Sequence, residues 1–529
     1  MATSTETSAY GDLPPAMIEG ATPAADWIVI LPVVLALMGG ALLLMLKNTR
    51  NGQAPFAVLI AAAVAMLDAM LLWRILDTGP LTMTMGKWLP PFGISFTADA
   101  MGAGFALASA VVTVIVLLYV QFDIAAREIK YGFYSLVLLL LAGVSGAFLT
   151  GDLFNLYVWF EVMLIASFGL IIMGGRKIQL DGAIKYGFLN FLATTFFLTA
   201  LGYLYGLVGT LNMADIATVS GDAPVGPMTA VAALLLLAFG MKAAAFPVNA
   251  WLPASYHTPS PAVSALFGGL LTKVGAYALL RCLVVLLPAS RDIMEPVITV
   301  LAVATLILSP MGAIAQTNLR RMIGFILIGG IGSVLAGLAL ASEQGIGGAT
   351  IYAFNSILVI SALYLVAGLI ERVTGETDTR AMGGLYAANS GLSIAFLVLV
   401  FAVSGMPPFL GFWPKLMLME AALSAGGVSL TVAIILNAVL TAIAGTRAWA
   451  HIFWRAGREG EGSEQPNDRL RPMSGPEFRW GLLPAAVLTA LIFWFGVQPN
   501  LVIVGGRTAA VDMLDPARYV ASTGLEVKE

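Results

Sequence analysis

The sequence predicts an all-α polytopic membrane protein with about 14 transmembrane helices. Three observations carry that expectation. Of 529 residues, 59% are hydrophobic and only 11% are charged. Mean hydropathy is +0.90. The apolar residues gather in runs of about 20, the length that crosses a bilayer's hydrocarbon. A soluble domain is roughly 45–50% apolar and about one quarter charged, so a soluble globular enzyme is excluded. One cysteine, Cys282, excludes a disulfide scaffold, a thiolate zinc site and a four-thiolate iron–sulfur cluster. Two histidines, His257 and His451, stand outside the long apolar runs and leave at most one bis-histidine haem. No cofactor and no metal of its own are therefore expected. Basic and acidic residues number 27 and 30, a net charge of −3, and nothing points to nucleic acid.

The apolar runs place spans at 27–46, 56–76, 100–120, 132–150, 153–173, 184–208, 228–247 and 260–287. Six more follow at 295–315, 322–341, 348–370, 389–423, 429–454 and 480–500. The run 389–423 is too long for one crossing and must tilt, break or extend beyond the lipid. Between the second and third spans, Leu81–Thr97 contains Pro90-Pro91 and alternating residues, and reads as a short extended hairpin.

Cytoplasmic loops retain Lys and Arg, which sets orientation. Lys47, Arg50, Arg127, Lys130, Arg176, Lys177, Arg320, Arg321, Arg372, Arg380 and the cluster from Arg455 to Arg479 share one side. The other side holds Arg74, Lys87, Arg281, Arg291, Arg507, Arg518 and Lys528, thinly spread and partly at span ends. An even number of spans puts both termini outside the cytoplasm. Residues 1–26 carry Glu6, Asp12, Glu19 and Asp26 without Lys or Arg, which reads as an exported acidic tail rather than a signal peptide. The division expected is 1–26 tail, 27–131 first three helices with the hairpin, 132–287 and 295–455 two repeats, 456–479 cytoplasmic loop, and 480–529 last helix and tail.

Four ionisable residues remain deep in apolar runs: Glu161, Lys242, Lys273 and Lys415. Each central charge costs roughly 2.5–3.5 kcal/mol on insertion scales, so the set costs on the order of 10 kcal/mol unless paired or wetted. Such groups by default mark an ion or proton path. Lysine suits a proton path, because burial and a movable carboxylate push its proton affinity in opposite directions, whereas arginine keeps its proton. The alternative for Glu161 with Lys242 is an ion pair that merely staples two helices. Asp68 reads as a satisfied carboxylate between helices, Lys185 and Glu420 as snorkelling groups, and Arg281 and His451 as groups near membrane ends. His257, in NAWLPASYHTPSP, is either a loop histidine or a proton-uptake group.

Proline breaks two of these helices. Pro247 follows Lys242, and Pro407-Pro408 precede Lys415. Proline lacks an N–H and its ring collides with the preceding turn. Irregular backbone at membrane depth survives only where protein or water covers it, and paired breaks point to a transporter's site. The breaks fall in spans seven and twelve, so spans 4–8 and 9–13 read as two five-helix repeats in opposite orientation.

At these residues the chain resembles the antiporter-like family shared by respiratory complex I and Mrp-type cation/proton antiporters. TGDLFNLYVWFEVMLIASFGL (150–170) is similar to that family's fifth helix, with Glu161 as its buried glutamate. AFGMKAAAFPVNAWLPASYHTPSPAVSALFGGLLTKVGAY (238–277) is similar to its broken seventh and its eighth helix, matching Lys242 and Lys273. SGMPPFLGFWPKLMLMEAAL (404–423) is similar to its broken twelfth helix, matching Lys415; with GDLFN and GFWPK it points to the D-type branch of the Mrp antiporters. The resemblance implies proton relay for sodium/proton exchange within a lipid-embedded assembly of several membrane subunits. The alternative is a proton-pumping membrane subunit of an NADH–quinone oxidoreductase or membrane-bound hydrogenase. One departure stands out: helices ten and eleven offer no His or Lys, only Ser333, Tyr352, Asn355, Ser356, Ser361 and Tyr364. The link from Lys273 to Lys415 would then run over waters held by hydroxyls and amides.

Overall fold

Eleven helices among the described residues are long and apolar enough to cross a membrane. The computed structural model describes residues 23–46, 52–90, 92–455 and 470–525. The expected acidic tail, the cytoplasmic loop after Arg455, Lys47, Arg50, Pro91 and Lys528 therefore lie wholly or mostly outside the described residues. In chain order the helices are α1 (Leu31–Met45), α2 (Gln53–Thr78), α3 (Ala100–Tyr119), α4 (Phe133–Leu149) and α5 (Leu153–Ile172). Next come α6 (Lys177–Val208), α7 (Val225–Ala243), α8 (Pro261–Leu286), α9 (Pro288–Ala315) and α10 (Leu319–Leu340). Then come α11 (Glu343–Thr374), α12 (Ser390–Ser404), α13 (Phe412–Ser424), α14 (Val428–Trp454) and α15 (Glu477–Val497), and the expected tail holds two further helices, Asn500–Leu514 and Ala517–Ser522. The shorter apolar helices α1, α4 and α12 complement the eleven long ones. The long run 389–423 resolves into two helices, α12 and α13, with a break between Ser404 and Phe412.

The core sits where α8, α10 and α11 meet: α8 is buried throughout and the other two nearly so, while α2 and α6 turn most of their apolar surface outward. Small residues let backbones approach in an apolar medium, where packing rather than water drives helix association. A side chain at Gly275 of α8 would lie 2.8 Å from Ala243 N, so α8 presses directly on the end of α7. Gly332 of α10 meets Leu306 of α9 in the same way.

Helix starts follow capping chemistry, in which a short polar side chain accepts an otherwise orphaned N–H. Asp99 caps α3 through Gly102 N (2.8 Å), and Asp152 caps α5 through Asn155 N (2.8 Å). Asn318 caps α10 through Arg321 N (3.0 Å), and Ser342 caps α11 through Gly345 N (3.1 Å). Two of these capping loops also pair. The loop before α5 bonds the loop after α6, Leu153 N to Leu211 O (2.9 Å) and Met213 N to Gly151 O (2.8 Å). The loop before α10 bonds the loop after α11 alike, Leu319 N to Thr377 O (3.1 Å) and Thr379 N to Thr317 O (2.8 Å). Strands β1 (Leu81–Thr84) and β2 (Ser95–Ala98) form the hairpin, antiparallel in the register Leu81↔Ala98 to Thr84↔Ser95. It joins the first capping pair: Gly151 N donates to Ser95 O (2.9 Å), and Asn212 Nδ2 to Ser95 Oγ (3.1 Å).

Candidate functional site

Lys242 occupies the last turn of α7. The chain leaves the helix at Ala244, which takes a left-handed conformation (φ 61°), and Pro247 follows with no N–H to resume it. The carbonyl of Met241, in the last turn, accepts Ala244 N (3.2 Å) and also Trp251 Nε1 (3.0 Å). The Lys242 side chain is buried, with Nζ 4.7 Å from the Phe160 ring centroid. A cation over an aromatic face is stabilised by the ring quadrupole. Tyr186, Asn190 and Tyr256 complete a cavity of about 20 Å³, room for about one water. Tyr186 shares a hydrogen bond with Ser167 (2.7 Å), whereas the buried Tyr256 hydroxyl has no partner.

The alternative of a helix staple between Glu161 and Lys242 is not what the structure holds. Among the described residues no ion pair joins Glu161 to Lys242, although its charge acts on the lysine. Successive helix residues point about 100° apart, so a helix that aims Phe160 at Lys242 turns Glu161 aside. Glu161 is half-buried on the flank of α5, and its buried Oε1 has no hydrogen-bond partner.

Lys273 is fully buried in α8, just past a π-turn at Phe267–Leu271. The wider turn shifts the backbone bonding register, and Lys273 Nζ donates to Gly268 O at 2.7 Å. Around it lie Gly330 and Val334 of α10 and Tyr352 and Ser356 of α11. Ser333 lies beside the Tyr352 phenol.

Lys415 lies in the first turns of α13, and its amine reaches back across the break. Nζ donates to Ser404 O (2.9 Å), the last carbonyl of α12, and to Asn437 Oδ1 (3.3 Å). Ser404 O thus receives from Lys415 what Met241 O receives from Trp251. A helix C-terminus carries partial negative charge, which favours a cation there. Among the described residues neither Lys273 nor Lys415 forms an ion pair; their amines meet Gly268 O, and Ser404 O with Asn437 Oδ1.

Helix α11 spans the interval between these amines. Tyr352 and Ser356 face Lys273, while the Asn355 amide lies against Gly411 in the break before Lys415. Both polar atoms of Asn355 are buried without a partner. Ser361 lies against Gly269 in the π-turn beside Lys273, with its hydroxyl shared between Ile357 O (2.8 Å) and Ala265 O (3.1 Å), where α11 packs on α8. Pro247, Pro407 and Pro408 all fall in the two breaks, with cis bonds at Phe246-Pro247 and Pro407-Pro408.

His257 is half-buried, and its Nδ1–H donates to Pro253 O at 2.9 Å. Burial, and then the charge of Arg321 with smaller contributions from Arg320 and Lys185, pushes its pKa down to about 4. The imidazole is therefore neutral at physiological pH, which favours the loop role. Because the folded value lies below the free value near 6.5, the unfolded chain takes up the proton first, and stability is lost as pH falls from 6.5 toward 4. His257→Gln is expected to flatten that loss in thermal-unfolding scans and to leave exchange near neutral pH unchanged. An exchange profile that moves near pH 7 would restore the proton-uptake role.

Three other expectations are corrected. Asp68 is fully buried with neither oxygen bonded, so it is not a satisfied carboxylate. Arg281 lies near the end of α8 as expected, but its partners are neither phosphate nor water: it is wholly buried, paired with Asp99 at the start of α3 and set over the rings of Tyr277 (5.4 Å) and Tyr519 (4.9 Å). Its place inside ALLRCLVVLL was the signal. Arg320, read as a loop cation, is buried on Glu371 (3.0 Å) and Pro259 O (2.6 Å), tying α10, α11 and the loop before α8.

Comparison with known proteins sets this geometry in context. The family described as "NADH:quinone oxidoreductase/Mrp antiporter, TM" matches residues 150–441. A Bacillus subtilis (strain 168) protein named as the D component of a Na(+)/H(+) antiporter is 34% identical over 493 residues, covering 93% of this chain and 98% of its own. A chain of the Mrp complex from Dietzia sp. DQ12-45-1b superposes with a TM-score of 0.87 at 26% identity, covering 95% of this chain and all of that one. A chain of the membrane-bound sulfane sulfur reductase, an archaeal respiratory membrane complex, reaches a TM-score of 0.86 at 26% identity, over 94% and 99% of the two chains.

Proposed function

The chain belongs to the NADH:quinone oxidoreductase/Mrp antiporter transmembrane family, and from that premise we propose that it is the D-type, proton-translocating subunit of a multisubunit Na+/H+ antiporter. One observation carries the mechanism: each buried lysine sits where a helix is interrupted. Lys242 ends a half-helix, Lys273 bonds a π-turn carbonyl, and Lys415 caps the end of another half-helix. Neutral carbonyls and an aromatic face stabilise an ammonium without pinning it as a fixed carboxylate would, so each amine can hold a proton and give it up. Protons pass from Lys242 to Lys273, and by water along Tyr352, Ser356 and Asn355 to Lys415. Ser333 supports Tyr352 in that passage, while Ser361 holds helices together.

The two matched capping pairs, Asp152↔Asn212 and Asn318↔Asp378, support two inverted five-helix repeats, because they recur five helices apart. On this layout the fourteen crossings are α1–α11, α12 with α13, α14 and α15. The repeats occupy 132–287 and 295–455, and both termini are outside the cytoplasm. The half-exposed Glu161 would face a neighbouring membrane subunit, whose change of charge loosens or tightens its hold on the Lys242 proton. Sodium leaving the cytoplasm is exchanged for external protons, in a complex whose other subunits and lipid surround this chain. A redox-driven proton pump also fits the respiratory relatives but is not favoured, since the 34%-identical relative is named as part of an antiporter.

Vesicles containing the whole assembly test this reading. Glu161→Ala is expected to abolish proton-coupled sodium efflux while the complex still copurifies intact. Normal efflux from that variant would overturn it.

A further inference from the structure

Asn437 lies in the middle of the apolar run TVAIILNAVLTAI on α14 and is 2% exposed. Both ends of its amide are engaged. Oδ1 accepts from Lys415 Nζ (3.3 Å), and Nδ2 donates to Leu306 O of α9 (2.9 Å). The orientation is forced, because an ammonium only donates and a carbonyl only accepts.

The carbonyl it serves is free for a definite reason. In an α-helix the C=O of residue 306 bonds the N–H of residue 310, and residue 310 is Pro310, inside α9. Pro310 therefore leaves a buried acceptor on α9, and Asn437 fills it from another helix. The adjacent residue, Thr305, accepts Phe246 N through Oγ1 at 3.2 Å, so one turn of α9 holds both the first break and, through Asn437, the lysine of the second.

We propose that Asn437 is the positioning residue of Lys415: it anchors on the proline-freed carbonyl of Leu306 and presents a single neutral acceptor to the amine. This rests on the relay reading above. Among the described residues no acidic side chain forms an ion pair with Lys415, and Asn437 Oδ1 is the side-chain acceptor that its amine meets.

The experiment compares Asn437→Leu and Asn437→Asp in the full complex, each with Pro310 and with Pro310→Ala, measuring thermal stability and the pH profile of sodium/proton exchange in vesicles. Asn437→Leu removes the acceptor and orphans Leu306 O. It is expected to lower stability and to move the profile about one pH unit toward acid, because the ammonium has lost a partner. Asn437→Asp also orphans the carbonyl but sets a negative charge beside the amine, so the profile is expected to move about as far toward alkali. Pro310→Ala restores an N–H to Leu306 O inside α9. It is expected to rescue the stability of both variants and neither profile.

If the profile returns along with stability, or if both variants keep the wild-type profile, Asn437 is only a helix tie and the assignment falls. Lys415→Met, run in parallel, separates the two claims. Loss of exchange there with unmoved Asn437 profiles overturns the positioning role alone. Retained exchange there overturns the relay reading itself.

Discussion

Lys242→Arg is expected to abolish exchange as completely as Lys242→Ala. The two substitutions fail for different reasons, and the comparison is what decides. Arginine keeps the positive charge and stacks as well on the Phe160 face, so the electrostatic service of the lysine survives. It does not release its proton at any pH a cell reaches. If the amine's task is to pass a proton, the expected loss is on the order of a hundredfold or more, the scale of a positioned proton-transfer group. A cavity of about 20 Å³ leaves little room for the larger head group, so copurification of the complex and its thermal stability must be measured beside the flux. An arginine variant that assembles and still exchanges would make Lys242 a cation holding helices together and nothing more.

The second large effect concerns stability. Arg281→Met is expected to destabilise the assembled complex by about 3–5 kcal/mol, because it strands the Asp99 carboxylate in a buried site. Asp99 has two duties: Oδ1 caps α3 through Gly102 N (2.8 Å), and Oδ2 holds Arg281 of α8. Asparagine keeps the first duty and drops the charge. Combining Arg281→Met with Asp99→Asn is therefore expected to recover most of the loss, as replacing whole buried ion pairs often does. Thermal unfolding of the single and double variants checks it. A single variant as stable as the wild type would show that the pair is dispensable.

The four buried ionisable residues of the proposed relay were legible in the sequence because hydrocarbon makes charge conspicuous. Glu161, Lys242, Lys273 and Lys415 interrupt apolar runs where nothing local explains them, and Pro247, Pro407 and Pro408 mark the broken backbone that would house them. Geometry across helices was not legible. That Phe160 rather than Glu161 would face Lys242 depends on how α5 is rotated, and neighbouring residues in a chain do not reveal it. Asp99 and Arg281 are 182 residues apart, so their union was invisible and Arg281 alone looked like an end group. Asn437 was passed over because its importance comes from a missing N–H on Pro310, a hundred-odd positions upstream on another helix. Asp68 erred in the opposite direction: a carboxylate in lipid invites the assumption of a partner, and none bonds it among the described residues.

Lys273 and Lys415 rest on peptide oxygens, at Gly268 and Ser404, rather than on titrating acids. A counter-ion with its own proton equilibrium would drift as the surroundings acidify, whereas an amide dipole keeps its strength at every pH. If the proposed relay operates, its working range follows from where the main chain is kinked. On that reading, moving a glycine or a proline would retune it while the amines stay in place.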